Sequence, residues 1–157
     1  TDEGGIRVPG IIRWPGKIAP GKTISQPAFH ADVMPTLCAL AGADAGSPLG
    51  IDLSSVLLGK KSALKDRKPM VWAGGGYGGQ VAVRFDAKKV IRRNLFPGKK
   101  PGNREVCDIV KDPAEKNDIA VENRDLIDRA IAILDKEYKP APGFQALRYK
   151  APEQPAK

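Results

Sequence analysis

Gln80-Val81-Ala82-Val83-Arg84-Phe85 and, a few residues on, Lys89-Val90-Ile91-Arg92 are short runs rich in β-branched residues. Each has the length and alternating character of a strand, in which successive side chains point to opposite faces. Working outward, Met70 to Ala73 and Arg104 to Val110 have the same character, and the four together predict a small antiparallel sheet. Between the first two runs lies Gly74-Gly75-Gly76-Tyr77-Gly78-Gly79. It lacks the Gly-Lys-Ser/Thr ending of a phosphate loop and no helix follows, so a flexible connection between strands is expected.

Downstream, Ile127, Ala130, Ile131, Leu134 and Tyr138 form an apolar stripe opposite Arg124, Asp128, Arg129, Asp135 and Lys136, which predicts a helix over 124–138 lying across the sheet. From Pro140 the composition turns to Pro, Lys and Ala, and an extended surface tail over 140–157 is expected. Upstream the pattern is helical. Asp32 is placed to cap a helix that tolerates Pro35 in its first turn, gathers Val33, Leu37, Leu40 and Ala41 on one face, and ends at Gly42. A second short helix is expected from Leu53 to Leu58, closed by Gly59, before a lysine-rich exposed connector. At the start, Ile6, Val8, Ile12 and Trp14 share one parity and Arg7 and Arg13 the other, which predicts a half-buried strand. Pro9 removes a ladder donor there, so the strand either begins near Gly10 or is an edge or bulged one.

The 157 residues suffice for an ordinary core, and 17 Gly and 14 Pro imply many turns. The chain opens on Thr1 rather than Met, without the charged and apolar regions of a signal peptide, so the native N-terminus is expected upstream. No apolar stretch approaches a membrane span. Cys38 and Cys107 sit in apolar runs and read as buried small residues, which leaves the redox compartment open. With His30 as the single histidine and no paired Cys/His spacing, a structural zinc site is not expected. The net charge of +8 favours anionic partners. It concentrates in Lys60, Lys61, Lys65, Arg67 and Lys68, then in Lys88, Lys89, Arg92, Arg93, Lys99, Lys100 and Arg104. These clusters lack the interleaved aromatics of a nucleic-acid platform, so a solvated surface is the simpler reading and no nucleic acid is expected.

Glu3-Gly4-Gly5-Ile6-Arg7-Val8-Pro9, followed by Ile12-Arg13-Trp14-Pro15-Gly16, resembles a segment of the type I, formylglycine-dependent sulfatases. The resemblance continues through Asp32, Pro35, Thr36, Leu37 and Ala41-Gly42. It resumes at Ala82-Val83-Arg84 with Lys89 and Ile91, and again at Asp108, Asp112-Pro113-Ala114-Glu115 and Asn117 to Ala120. It covers residues 1 to about 138. Leu49, Lys88 and Cys107 depart from the pattern.

The resemblance implies an α/β fold of the alkaline-phosphatase-like kind: residues 1–68 as the end of the large domain, 69–139 as a C-terminal antiparallel-sheet subdomain, and 140–157 as the tail. It implies hydrolysis of sulfate esters of a sulfated small molecule or polysaccharide by a formylglycine nucleophile, helped by a calcium ion whose ligands lie upstream. No catalytic or metal-binding residue is expected in this chain, no cofactor bound by it, and no activity from it alone. Glu3, Gly4, Gly5 and Arg7 are expected near the active-site floor, either in support of it or only shaping a turn, and His30 either faces the cleft or is structural. Arg92 and Arg93 are candidates for a rim that attracts a sulfated glycan. A periplasmic or secreted location is implied too, while the sequence leaves the oligomeric state open. The alternatives are a phosphonate monoester hydrolase or phosphodiesterase of the same superfamily, and a non-catalytic basic module binding acidic polysaccharide.

Overall fold

The computed structural model describes residues 1–64, 67–143 and 145–153, with Tyr77 described in its main chain only. Two units form: residues 9–68, and residues 1–8 together with 69 onward. The first eight residues thus cluster with the sheet, not with the segment that follows them. The unit boundaries fall after Val8 and after Lys68.

In the sheet unit, β1 (Met70–Gly74), β2 (Gln80–Phe85), β3 (Lys88–Arg93) and β4 (Arg104–Asp108) pair in sequence order, every pair antiparallel. The register sets Val83 beside Val90 and Val90 beside Val106. With Val81 these valines make one apolar face, and it is covered by Leu126, Ile127, Ala130 and Leu134 of a helix over Arg124–Glu137. That helix carries Asp125 in its first turn and Lys136 in its last, complementing its dipole. Burying each of its large aliphatic side chains contributes about 1.5–3 kcal/mol. β4 stops at Asp108, short of the expected Val110, because the Asp108 carboxylate accepts the N–H groups of Val110 and Lys111 and turns the chain.

Two expectations are corrected here. The glycine run forms a tight turn over Gly76–Gly78, pinned by Leu95 N–H on the Gly79 carbonyl at 3.0 Å and Phe96 N–H on the Gly78 carbonyl at 2.9 Å. Gly79 has φ +87, and a Cβ there would meet Leu147 Cδ2 at 2.7 Å, so the loop is packed rather than free. The tail is anchored as well. Leu147 enters the core, Arg148 N–H bonds the Leu95 carbonyl, and the Tyr138 ring meets that of Tyr149 edge-on at 5.6 Å. Residues 154–157 lie outside the described ones.

Residues 9–68 hold helices at Val33–Ala41 and Ser54–Leu57. The first ends at Gly42 in the left-handed conformation, as expected. Thr36 Oγ1 accepts Leu53 N–H at 3.0 Å and ties the two helices together. Gly50 passes so close to residue 31 that a Cβ would lie 2.0 Å from the Ala31 carbonyl oxygen. The strand expected over 6–14 is absent among the described residues. Glu3–Ile6 instead makes a helical turn, closed by Ile6 N–H on the Asp2 carbonyl and Arg7 N–H on the Glu3 carbonyl. Residues 9–29 have no ladder partner, and Ile11 and Ile12 stand exposed. The expected apolar face of the first helix is also turned outward, since Val33 and Leu37 are exposed while Pro35 and Thr36 are buried.

Candidate functional site

Opposite the helix-covered face, β2 and β3 present Gln80, Lys89 and Arg93, and the first three residues of the chain dock on them. Lys89, with no exposed surface, points its Nζ at Glu3 Oε1 (2.8 Å), Glu115 Oε1 (2.7 Å) and the Thr1 carbonyl (2.9 Å). Glu115 also accepts the Glu3 N–H through Oε2 at 2.7 Å. Arg93 bridges Asp2 at 2.5 Å and Glu105 at 2.6 Å, and Thr1 Oγ1 donates to Gln80 Oε1 at 2.8 Å.

Local sequence explains how Glu115 arrives. In Asp112-Pro113-Ala114-Glu115-Lys116-Asn117, the Asp112 carboxylate accepts both the main-chain N–H and the Nδ2 of Asn117, and Glu115 N–H bonds the Asp112 carbonyl. The turn puts Glu115 at φ +54, a conformation that L-residues adopt at a cost of about 1–2 kcal/mol. The buried ion pair holds it there.

Electrostatics follow the geometry. The hydrogen bond from Arg93 holds the Asp2 carboxyl below the usual carboxylate range. Burial alone would lower the Arg93 guanidinium, but its bonds to Glu105 and Asp2 prevail and raise it. Cys107, level with Lys89 in the β3–β4 register, is buried, and burial with the carboxylates of Glu115, Glu105 and Asp118 pushes its thiol up to about 11. It stays a thiol at neutral pH, unsuited to nucleophilic work.

The residues expected near an active site divide. Glu3 is buried and committed to Lys89, while Gly4, Gly5 and Arg7 are exposed, with open space around both glycines. His30, in the other unit, is exposed at the start of the turn His30–Asp32. Asp32 does not cap the helix after it. Its carboxylate is buried, closing the preceding turn on Phe29 N–H at 3.0 Å, taking Ile51 N–H at 2.9 Å and pairing with Arg67 at 2.9 Å. Arg67 also stacks on Phe29.

Arg92 is corrected. It is 2% exposed and donates to the carbonyls of Gly102, Tyr149, Ala151 and Pro152, so it is buried and clamps the C-terminal strap rather than standing at a rim. Arg93 is already matched by two carboxylates. The reading of the basic clusters as a solvated surface therefore fails at Lys89 and Arg92, which are buried with partners, and at Arg67, whose largely buried side chain pairs with Asp32 through Nη2, while Lys65 lies outside the described residues. Sequence reasoning missed the Lys89–Glu3–Glu115 contact. The signal was present: Lys89 shares parity with Ile91, so a charge sits where the strand's apolar register requires burial.

Among the described residues no group of three or more His, Cys, Asp or Glu is placed to hold a metal, and the buried carboxylates Asp32, Glu3 and Glu115 are held by cations of the protein. These residues do not fit a calcium site. No helix among the described residues is long and apolar enough to cross a membrane.

The family model for sulfatases matches residues 1–43. Rat steryl-sulfatase is 50% identical over 62 residues, 38% of this chain and 11% of that protein. Arylsulfatase A from Bos taurus is 51% identical over 61 residues, 38% of this chain and 12% of that protein. Rat arylsulfatase G is 39% identical over 97 residues, covering 58% and 18%. Among solved structures, Ps i-CgsB superposes with a TM-score of 0.63 at 25% identity, covering 78% of this chain and 27% of that one. BT4656, solved with its substrate D-glucosamine-2-N,6-O-disulfate, superposes with a TM-score of 0.62 at 24% identity over 80% of this chain and 27% of that one. The fold is the alkaline-phosphatase-like α/β kind, here with its small antiparallel sheet and C-terminal helix. Over these stretches the chain is similar to sulfatases, and it spans about a tenth of the length of the first curated relatives it matches.

Proposed function

We propose that this chain is the C-terminal region of a sulfatase that hydrolyses sulfate esters, and that it supplies scaffold rather than the reacting groups. The observation that carries the reading is the 50% identity to steryl-sulfatase over 62 residues. The docking of Asp2 and Glu3 on the sheet supports it. It fixes the segment before Gly4 and Gly5 from below, through Lys89 and Arg93, and leaves Gly4, Gly5 and Arg7 turned outward to meet groups from elsewhere in a full-length protein. His30, in the other unit, is exposed and is proposed to face the substrate cleft of the full-length protein.

A formylglycine nucleophile and a calcium ion belong to this proposal as groups held outside residues 1–157. A divalent cation would supply activation of the nucleophile and neutralisation of charge developing on sulfate oxygens. The substrate class is a sulfated small molecule or saccharide, in keeping with the sulfated glucosamine bound by BT4656.

The test is an assay of the full-length protein on an aryl sulfate and the matching aryl phosphate, beside purified residues 1–157. Sulfate ester turnover by the full-length protein and none by the shorter chain is expected. A preference for the phosphate ester would overturn the sulfatase reading, and turnover by residues 1–157 alone would overturn the scaffold role.

A further inference from the structure

At the edge of the sheet, on the C-terminal strap, Glu153 lies among arginines. Arg104 donates to Glu153 Oε1 twice, from its main-chain N–H at 3.3 Å and from Nη1 at 3.0 Å. Arg124 Nη1 stands 3.9 Å from Glu153 Oε2. Behind them is Arg92, paired with Arg104 across β3 and β4, whose four side-chain hydrogen bonds all go to main-chain carbonyls. Carbonyl dipoles satisfy the Arg92 hydrogen bonds without cancelling its charge. Burial and the nearby Arg104 both lower its proton affinity, and Glu153 opposes them. Three guanidinium charges and one carboxylate leave the cluster two charges positive.

We propose that Arg104 and Arg124, backed by Arg92, form an anion site that the chain's own Glu153 fills, and that a tetrahedral dianion, a sulfate or phosphate group, takes its place. The site is prepared in advance. Arg104 is held by a further bond from Nη2 to the Tyr149 carbonyl at 3.1 Å, and its side chain is only 13% exposed, so little rotamer freedom remains to be lost on binding. The guanidinium fork matches the oxygen geometry of such an anion, and a dianion answers the surplus charge better than one carboxylate. The occupant is replaceable. Glu153 is 32% exposed, and partly exposed ion pairs contribute little. Arg92 grips the strap through the Pro152 carbonyl, so Glu153 can swing away while the strap stays docked. This site uses none of the residues proposed to support sulfate ester hydrolysis, and it stands whether or not that reading holds.

The experiment is calorimetric titration of the whole chain with sodium sulfate at constant ionic strength, with sodium chloride as control and a sulfated disaccharide as a second titrant. Wild type, Glu153→Gln, and Glu153→Gln with Arg124→Ala are compared, each checked for an unchanged melting transition. Arg124 is 67% exposed, so its loss spares the fold. Glu153→Gln should bind sulfate about tenfold more tightly than wild type, and Arg124→Ala should reverse most of that gain. Tighter binding of the disaccharide than of sulfate identifies a sulfate ester as the source, and equal binding identifies the free anion; both support the site. Equal sulfate affinity in wild type and Glu153→Gln, or no loss on adding Arg124→Ala, would overturn it.

Discussion

Replacing Lys89 by Met tests whether the buried ion cluster fastens the first residues to the sheet. The substitution keeps the length and apolar stem of the side chain but removes the one cation between Glu3 and Glu115, whose side chains are 4% and 5% exposed. Two carboxylates are then left buried, close together and without a counter-charge. Breaking a buried pair by removing one partner costs about 3–5 kcal/mol, and like-charge repulsion adds to the upper end. In a domain of this size that lowers the melting temperature by roughly 10–20 °C. Urea unfolding followed by circular dichroism gives the free energy, and hydrogen exchange at residues 3–8 shows whether the helical turn Glu3–Ile6 opens first. The triple variant Lys89→Met, Glu3→Gln, Glu115→Gln removes all three charges and should recover more than half of the loss, because the penalty lies in the uncompensated carboxylates. A loss under about 1 kcal/mol in the single variant, or a triple variant no more stable than the single, would refute the reasoning.

Cys107 should resist alkylation by iodoacetamide at pH 8 in the folded chain while Cys38, half-buried, reacts; mass spectrometry of the labelled peptides reads this, and equal labelling would contradict the raised thiol. The Asp2–Arg93 bridge has a definite pH sign. The folded-state carboxyl titrates below its unfolded value of about 3.9, so its stabilisation is complete above that pH and disappears as pH falls through the lower, folded value. Asp2→Asn should therefore flatten the acid limb of stability against pH while leaving its neutral-to-alkaline limb unchanged. Gly50→Ala should destabilise residues 9–68 by more than about 2 kcal/mol, since the added methyl meets main-chain atoms that cannot swing aside; near-neutral unfolding data would refute the close approach to Ala31.

The sheet was legible because its signals are local. The alternation over 80–85 and the stripe from Ile127 to Leu134 specify a strand and a helix whose partners are supplied within this chain. The same period-2 logic failed over 6–14, where alternation is real but no neighbouring strand completes a ladder, and backbone groups without one find turns instead. The stripe Val33–Leu37 failed for a related reason. Periodicity states which residues share a face and not what covers it. Arg92 was misread because a charge run shows composition but not register; the register turns Arg92 toward the strap and Lys89 toward the first residues. Asp32 sits where a cap should be, yet its carboxylate is drawn to Phe29, Ile51 and Arg67 by burial that only tertiary structure supplies.

The residues through which this chain resembles sulfatases turn out to share a mechanical purpose. Glu3 belongs to the first block, Lys89 to the strand block and Glu115 to the Asp112–Asn117 turn, and all three meet at one buried ammonium group. Each of the three lies far from the others in sequence, and none of them bonds outside this cluster except through main-chain contacts. A buried charge cluster is a poor source of net stability compared with apolar packing. What it adds is position: Nζ of Lys89 meets Glu3, Glu115 and the Thr1 carbonyl together, with Gly4 and Gly5 left exposed. An apolar substitute at Lys89 with apolar partners would hold the same segments together but would let them slide. The cluster therefore bears on where the turn is held, and only secondarily on how strongly.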